Sequence, residues 1–258
     1  MFSLDAFKLK WIAIIGMVLN HIVIAWWEVI PVGLAVPMYV AGGFTFPIMA
    51  FFVVEGYKHT SNIKRYILRL FIFGAISIPF HILTFGYVGL NIMFTIIVGI
   101  LCMLLYDKIK IRPLFWALFV IIALLTTMPI FFDWAIIGIV VIILTHVIKN
   151  ENKRRTVPAI VAGLFMFAFS LLSIWSYNPY AEVQLMGLPG FDLTLLQVSC
   201  VFIIGCFGAA FLLKNFNGQR GKRMKWLFYS FYPLHLAVLG LVALLMGWVD
   251  LGSIGFPF

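Results

Sequence analysis

The lysines and arginines of this chain fall into five clusters. Two long apolar segments lie between each cluster and the next, and one further apolar segment follows the fifth cluster. We count nine apolar segments, at about 11–30, 36–57, 66–86, 91–106, 113–130, 134–148, 157–176, 194–213 and 227–248. If the chain crosses a membrane once in each segment, all 18 Lys and Arg residues lie on one side, as expected of cytoplasmic loops. The pattern predicts a polytopic membrane protein with a cytoplasmic N-terminus and an external C-terminus.

The same pattern constrains the number of crossings, because losing one would place every later basic cluster on the opposite side. The weakest segment is 134–148, which at ~1.5 Å per residue is about 22 Å long, short of the ~30 Å hydrocarbon core. We expect nine spanning helices, with eight or ten as alternatives.

Composition predicts the fold class. Because 64% of the residues are hydrophobic and 10% are charged, the chain cannot present a polar surface to water, and helices satisfy their own backbone groups in lipid. We therefore expect an all-α helical bundle in the cell membrane (inner or plasma), and the short loops predict a single domain over residues 1–258.

The net charge of +9 does not indicate a nucleic-acid partner, since the inward bias of the loops accounts for it. It favours contact with membrane lipid or with a soluble anion. Cys102, Cys200 and Cys206 lie in apolar segments without a metal-ligand spacing, so no metal site is expected.

Ionisable residues within lipid are functional candidates. Lys10 and His21 are separated by about 1100° of helical rotation, ~20° from three full turns, so they share a face of the first helix. His21 and His235 each lie roughly 15 Å from the basic side, and a neutral imidazole can accept a proton from a hydroxyl or amine. This predicts a buried polar chamber. The alternative is that each histidine only hydrogen-bonds a neighbouring helix, which we expect for His81.

The second segment contains Pro47, which is expected to kink it, and ends at Glu55. Four cations follow: Lys58, Lys64, Arg65 and Arg69. Glu55 either forms an ion pair that holds the loop, or orients an imidazole or balances a bound substrate. Arg65 and Arg69 share a helix face and have the forked donors that match phosphate oxygens, although the topological charge bias would also explain them.

Three weaker features concern polar groups near the histidines. Asn91 and Thr95 are one helical turn apart and either bond a neighbouring helix or line the outer part of the chamber. Pro233 frees a backbone carbonyl beside His235. Tyr232 either packs or donates to a developing oxyanion.

Several motifs resemble one family. They are LDAFKLKWI at 4–12 with NHI at 20–22, FFVVEGYKHT at 51–60, IPF at 78–80, NIMFT at 91–95 and FYPLH at 231–235. These resemble the TraX-like proteins, named for the conjugative pilin acetylase. The resemblance covers both ends of the chain, whereas residues from about 107 to 225 match mainly as a hydropathy profile.

That family is in turn similar to the acyltransferase-3 membrane acyltransferases, in which a basic residue, ten intervening residues and a His form a signature. Lys10 through His21 reproduces this spacing. Glu55 stands where that group typically has a serine, so a serine hydroxyl has no expected role. Asn20 stands where TraX-like proteins often carry Asp, so no carboxylate orients His21 from that position.

The resemblance implies transfer of an acyl group, commonly acetyl, from acetyl-coenzyme A to an amine or hydroxyl. The implied catalytic roles are general base for His21, polarisation of the carbonyl for His235 or Tyr232, and, for Glu55, orientation of a catalytic partner or holding of the donor's entrance. Asn20, Asn91 and Thr95 would line the chamber. The cations that would bind the donor are Lys10, Lys58, Lys64, Arg65 and Arg69. The acceptor is a pilin or other protein N-terminus, a glycan, a lipid headgroup or a small molecule.

Two alternatives are open. A transporter or flippase for an anionic or lipid-linked substrate would also have polar residues at mid-membrane and a basic rim. A non-catalytic scaffold for a secretion or conjugation complex is the third reading, which the buried histidines disfavour.

Overall fold

The computed structural model describes residues 3–127, 132–175 and 197–248. Within these ranges the chain forms α-helices and one 3₁₀ turn, Trp27–Val29. The helices are α1 (Ala6–Ala25), α2 (Val32–His59), α3 (Ile63–Phe85), α4 (Ile92–Lys108), α5 (Arg112–Leu125), α6 (Ala135–Val147), α7 (Glu151–Trp175), α8 (Phe202–Lys214) and α9 (Lys225–Leu245).

Six of the described helices are long and apolar enough to cross a membrane: α1, α2, α3, α7, the stretch Gln197–Lys214 that contains α8, and α9. The shorter helices α4, α5 and α6 have 17, 14 and 13 residues. The prediction of an all-helical membrane protein is therefore confirmed at this level. Nine crossings and the sides of the two termini remain predictions.

Short polar side chains set where several helices begin. The Asp5 carboxylate accepts a hydrogen bond of 2.8 Å from the Lys8 amide at the start of α1, and the Asn62 side chain accepts one of 2.9 Å from the Arg65 amide at the start of α3. Both residues occupy the N-cap position, where a side-chain oxygen satisfies an amide that has no partner within the helix. At the other end of α3, Gly86 has a φ of 77°, which ends the helix without a Cβ clash.

The chain divides into two compact units. Unit 1 comprises residues 1–49, 150–223 and 257–258, and unit 2 comprises residues 50–149 and 224–256. The division falls inside α2, between Met49 and Ala50, shortly after Pro47. The expectation of a single domain stays a prediction.

Unit 1 packs through glycines. An added Cβ at Gly205 in α8 would collide with the Val40 carbonyl in α2, and one at Gly16 in α1 would collide with the Ala41 carbonyl. Small residues let membrane helices approach this closely, and van der Waals packing then replaces the hydrophobic driving force that lipid removes. The sequence of unit 1 thus specifies the α1–α2 and α2–α8 contacts by its glycines.

In unit 2, α3 and α9 run parallel. Near their starts the Phe73 and Tyr229 rings stack at 5.6 Å, and further along the Thr84 hydroxyl donates to the Leu236 carbonyl at 3.0 Å. All Lys and Arg residues of unit 2 lie at the end where these two helices begin. We call this the inner end and the opposite one the outer end.

Helices α4 and α6 also run parallel to each other, in the opposite direction to α3. Leu90 and Phe132, which precede the two helices, pair on the side away from the inner end. Asp107 and His146, near the two C-termini, bond at 2.8 Å at the inner end. Parallel directions for α3 with α9 and for α4 with α6 are those that strictly alternating crossings require.

Helix α4 begins at the middle of α3, not at its outer end. The Asn91 amide at its N-cap donates to the carbonyl of Gly74 at 2.8 Å, and Gly74 lies near the middle of the 23 residues of α3. Residues 86–91 therefore return into unit 2 as non-helical chain. We call the space beyond the starts of α4 and α6 the outer recess. Because Phe132 pairs with Leu90 there, the short α6 begins at this depth too.

Candidate functional site

Lys10, Asn20 and His21 all lie on α1 in unit 1. Lys10 and His21 are half-buried, and their spacing places them on one face of the helix. Asn20 lies against α2, where a Cβ on Gly42 would come within 2.5 Å of its Oδ1. Arg220, a second cation of unit 1, interacts electrostatically with Lys10.

Glu55 and Lys58 form an ion pair at the end of α2, with the Glu55 Oε1 atom 3.9 Å from the Lys58 ammonium. The Glu55 backbone carbonyl also accepts a hydrogen bond of 2.8 Å from Nδ1 of His59. The first alternative for Glu55, an ion pair, is therefore present in the structure, although both residues lie in the last turns of α2 and not in the loop. A pair this exposed contributes less than about 1 kcal/mol to stability.

Lys64, Arg65 and Arg69 lie at the inner end of α3 in unit 2. Lys64 and Arg65 are exposed, and within the described part of the chain no carboxylate lies within 4.0 Å of any of the three. The Arg69 guanidinium lies over the Tyr229 ring, 5.7 Å from its centroid, so a cation–π contact holds it on α9. All three are therefore free of a carboxylate partner within the described chain and can contact an anion.

His235 is buried in α9, at 7% exposure. Its Nδ1 atom lies 3.0 Å from the Phe231 carbonyl, which can only accept a hydrogen bond, so Nδ1 carries the proton. The ring stacks on that of Phe231 at 5.5 Å and meets Tyr232 edge-on at 5.3 Å. The Tyr232 hydroxyl is buried close to the backbone amide of Ile92, at the start of α4.

Asn91 and Thr95 are fully buried. The Asn91 carbonyl oxygen accepts a hydrogen bond of 3.1 Å from the Met93 amide while its amide holds Gly74. The Thr95 hydroxyl donates to the backbone carbonyl of Asp133. Both side chains therefore hydrogen-bond neighbouring elements, which is the first of the two alternatives proposed for them. These bonds lie at the outer recess.

Sequence reasoning missed the acidic group of this recess. Nε2 of His81 lies 3.6 Å from Oδ2 of Asp133. His81 is 1% exposed, and neither of its ring nitrogens has a hydrogen bond within the described residues. The sequence does show Asp133 as an acidic residue in a turn on the side without Lys or Arg. His81 and Asp133 are far apart in the sequence, however, so nothing indicated that they form a pair.

Two phenols complete the outer recess. The Tyr87 ring contacts the His81 ring edge-on at 5.4 Å, and the Asp133 carboxylate interacts electrostatically with both Tyr87 and Tyr232. Desolvation, and secondly the Asp133 charge, raise the pKa of Tyr87 well above its usual range. Tyr87 therefore keeps its proton and can donate a hydrogen bond.

A second His–Asp pair lies at the inner end of unit 2. Asp107 accepts a hydrogen bond of 2.6 Å from the Tyr57 hydroxyl and bonds Nε2 of His146 at 2.8 Å. These contacts tie the ends of α2, α4 and α6 together, which is a structural role for His146.

The predicted residues are thus distributed over both units. Lys10, Asn20 and His21 belong to unit 1, whereas the other predicted site residues, Glu55, Lys58, Lys64, Arg65, Arg69, Asn91, Thr95, Tyr232 and His235, belong to unit 2. Among the described residues, no group of three or more His, Cys, Asp or Glu side chains could hold a metal ion.

Long apolar helices with ionisable side chains inside them define an integral membrane protein with buried polar sites. The chain matches the TraX protein family over residues 5–243 and belongs to that family, as the motifs predicted. It is 26% identical over 254 residues to the "Probable fimbrial assembly protein FimC, serogroup H1" of Dichelobacter nodosus, with 91% of this chain and 94% of that protein covered. No solved structure matches it.

Proposed function

We propose that this TraX-family protein modifies a pilin during pilus assembly, as a membrane-embedded acetyltransferase that uses acetyl-coenzyme A. The family match and the name of the fimbrial assembly relative support the role in pilus assembly. The resemblance to the pilin acetylase and the acyltransferase-3 group supports acetyl transfer. We place the protein in the inner or plasma membrane.

The observation that carries the donor assignment is the cation cluster at the start of α3. Lys64 and Arg65 are exposed and Arg69 is half-buried, and no described carboxylate neutralises them. A coenzyme A molecule carries several phosphate charges, which forked guanidinium donors bind as charge-assisted hydrogen bonds. Lys58 contributes less to this binding, since Glu55 already pairs with it.

The general base we propose is His21. It shares a face of α1 with Lys10, and a neutral imidazole in lipid has a proton affinity suited to this role. It takes the proton from the acceptor nitrogen or oxygen as that atom attacks the thioester carbonyl carbon. The carbon–sulfur bond then breaks, and the proton passes to the departing thiolate of coenzyme A.

The donor site is tested by isothermal titration of acetyl-coenzyme A into the purified protein. We expect Arg65→Ala combined with Arg69→Ala to weaken binding by about 10- to 100-fold, because each removes a hydrogen bond to a charged group. The matched control is Lys110→Ala, which removes an exposed cation from the inner end of the same unit. If Lys110→Ala weakened binding as much, the cluster would contribute only general surface charge and would not be a specific donor site.

Catalysis is tested with radiolabelled acetyl-coenzyme A and the cognate pilin in membranes. We expect His21→Ala to lower acetyl transfer by about 10²- to 10⁴-fold while acetyl-coenzyme A still binds. His59→Ala, an exposed histidine, is the control and retains activity. If label never leaves the donor while an anionic solute crosses liposomes that contain the protein, the transporter is the correct reading.

A further inference from the structure

The outer recess begins level with the middle of α3, a helix long and apolar enough to cross a membrane, and it contains non-helical backbone. Residues 86–91 leave the end of α3 and return to Gly74, about 16 Å along the helix from its first residue. Non-helical backbone at such depth is tolerated only where it is buried in protein or lines a water-filled cavity. Besides Asn91 and Thr95, the recess holds the polar side chains of His81, Tyr87, Asp133 and Tyr232.

The two His–Asp pairs of unit 2 differ in their hydrogen bonding: the inner pair is hydrogen-bonded and the outer pair is not. At the inner end, Asp107 bonds His146 at 2.8 Å and also accepts from Tyr57. At the outer end, His81 stays 3.6 Å from Asp133 and neither ring nitrogen is hydrogen-bonded among the described residues. A buried polar group without a hydrogen bond is destabilising, so the outer pair is incomplete by itself.

The charge of the recess selects the ligand. Asp133 is the one acidic residue at the outer end within the described part of unit 2, and no Lys or Arg accompanies it there. Its side chain is 26% exposed, so a ligand can reach the carboxylate. The Phe85 and Tyr87 rings flank His81, at 4.9 and 5.4 Å, and aromatic faces attract cations.

We propose that the outer recess is a binding site for an ammonium group, in which Asp133 pairs with the positive charge and His81 and Tyr87 provide the adjoining polar contacts. Its assignment as the site that receives an amine acceptor from the outer side rests on the proposed function. The binding of a cation does not, because it follows from the geometry and charge of unit 2.

The test uses thiol-reactive probes of opposite charge and needs no enzymatic turnover. Tyr87→Cys places a thiol in the recess, and Val88→Cys places one beside it in case the first variant does not fold. Each is reacted in intact cells with cationic 2-(trimethylammonium)ethyl or anionic 2-sulfonatoethyl methanethiosulfonate, and both rates are divided by the rate with free 2-mercaptoethanol. We expect the cationic probe to be preferred by about tenfold, since a charged cleft concentrates counter-ions.

Two controls make the result specific. Asp133→Asn in the same background should abolish the preference, whereas Asp107→Asn, the equivalent change at the inner end, should leave it. Met246→Cys, an exposed position at the end of α9, should show no preference. The unsubstituted protein gives the background from Cys102, Cys200 and Cys206.

Two outcomes would overturn the inference: neither probe reaches the thiol from outside although it reacts after denaturation, or the preference survives in Asp133→Asn. The acceptor role is then tested separately, by the KM for the acceptor. We expect Asp133→Asn to raise this KM about tenfold or more, as loss of a charge-assisted contact does, with acetyl-coenzyme A affinity unchanged. If the unsubstituted protein transfers no acetyl group but shows the probe preference, the proposed function fails while the cation site stands.

Discussion

Single buried side chains hold the outer recess open, and Asn91 is the clearest example. Its amide group satisfies the Gly74 carbonyl and its oxygen satisfies the Met93 amide, both at full burial. One side chain thus fixes the depth at which α4 begins and caps the helix as well. Its removal would leave two backbone groups without partners in the buried interior of unit 2.

We therefore predict that Asn91→Leu lowers the free energy of unfolding by about 2–4 kcal/mol, from two unsatisfied buried groups. Asn91→Ser keeps a capping oxygen without burying a charge but loses the donor to Gly74, so its loss should be smaller. Thermal unfolding of the purified variants in one detergent gives the order. Equal stability of Asn91→Leu and the unsubstituted protein would show that water replaces these bonds.

The cations of the inner end also differ as single residues. Lys58 is paired with Glu55, whereas Arg65 is exposed and has no carboxylate within reach in the described chain. We predict that Lys58→Ala changes the acetyl-coenzyme A dissociation constant by less than about threefold, and Arg65→Ala by about tenfold, because only the second loses a charge-assisted contact to phosphate. Titration calorimetry would reveal the reverse order if Lys58 were the main phosphate ligand.

At the scale of helices, glycine contacts determine which helices pack together in unit 1. Gly205 has the closest contact, since an added Cβ would meet the Val40 carbonyl and Gly43 of α2. Backbone cannot move aside as a flexible side chain can. The α2–α8 contact therefore depends on this missing Cβ, as it does on the one missing from Gly43, where an added Cβ would collide with the Phe202 carbonyl oxygen.

Gly205→Ala should lower the free energy of unfolding by about 1–3 kcal/mol, the usual cost of overpacking. Gly33→Ala is the matched control in α2, because an added Cβ there meets nothing within 4 Å; alanine also favours the helix over glycine, so this variant should be neutral or slightly more stable. Melting temperatures of both, measured in the same detergent, check the prediction. A neutral Gly205→Ala would mean that α8 shifts without cost.

The sequence predicted the helices well and their partners poorly. Apolar runs and basic clusters located each described helix, because membrane helices need only length and hydropathy. Their ends were less accurate: α7 begins at Glu151 and α8 at Phe202, against predicted starts at about 157 and 194. The short segment at 134–148 seemed too short to span. The structure explains its length, since α6 starts level with the start of α4, near the middle of α3, and not at the outer end of α3. That depth depends on Asn91 and Gly74, and no local pattern indicates such a bond.

The same limit applies to the candidate site. Motif spacing identified the residues of α1, α3 and α9, because helical periodicity is a local property. It gave His81 only a structural role, since a histidine becomes informative through its neighbour, and Asp133 lies two helices further along the chain. The sequence predicts which polar residues lie within a helix and how far along it. It does not predict which residues of distant segments contact each other.

At the scale of the whole molecule, the charge clusters predict that the two termini lie on opposite sides of the membrane. A periplasmic-active alkaline phosphatase fused after Phe258 should be active, whereas the same enzyme fused after Asn150, in a basic loop, should be inactive. A fluorescent protein that matures only in the cytoplasm should give the opposite pattern at both positions. If both fusion positions lay on the same side of the membrane, the number of crossings between them would differ by one from the prediction.

Helix α5 has a consequence for the surrounding lipid. It has 14 residues, about 21 Å at 1.5 Å per residue, and presents exposed apolar side chains such as Trp116, Val120 and Leu124 along its length. If α5 crosses the bilayer, as the charge pattern predicts, acyl chains beside it must shorten or tilt to match, at a cost that grows with bilayer thickness. We then expect a thin patch of bilayer along this flank, and vesicles of short-chain phospholipids should stabilise the protein more than long-chain ones.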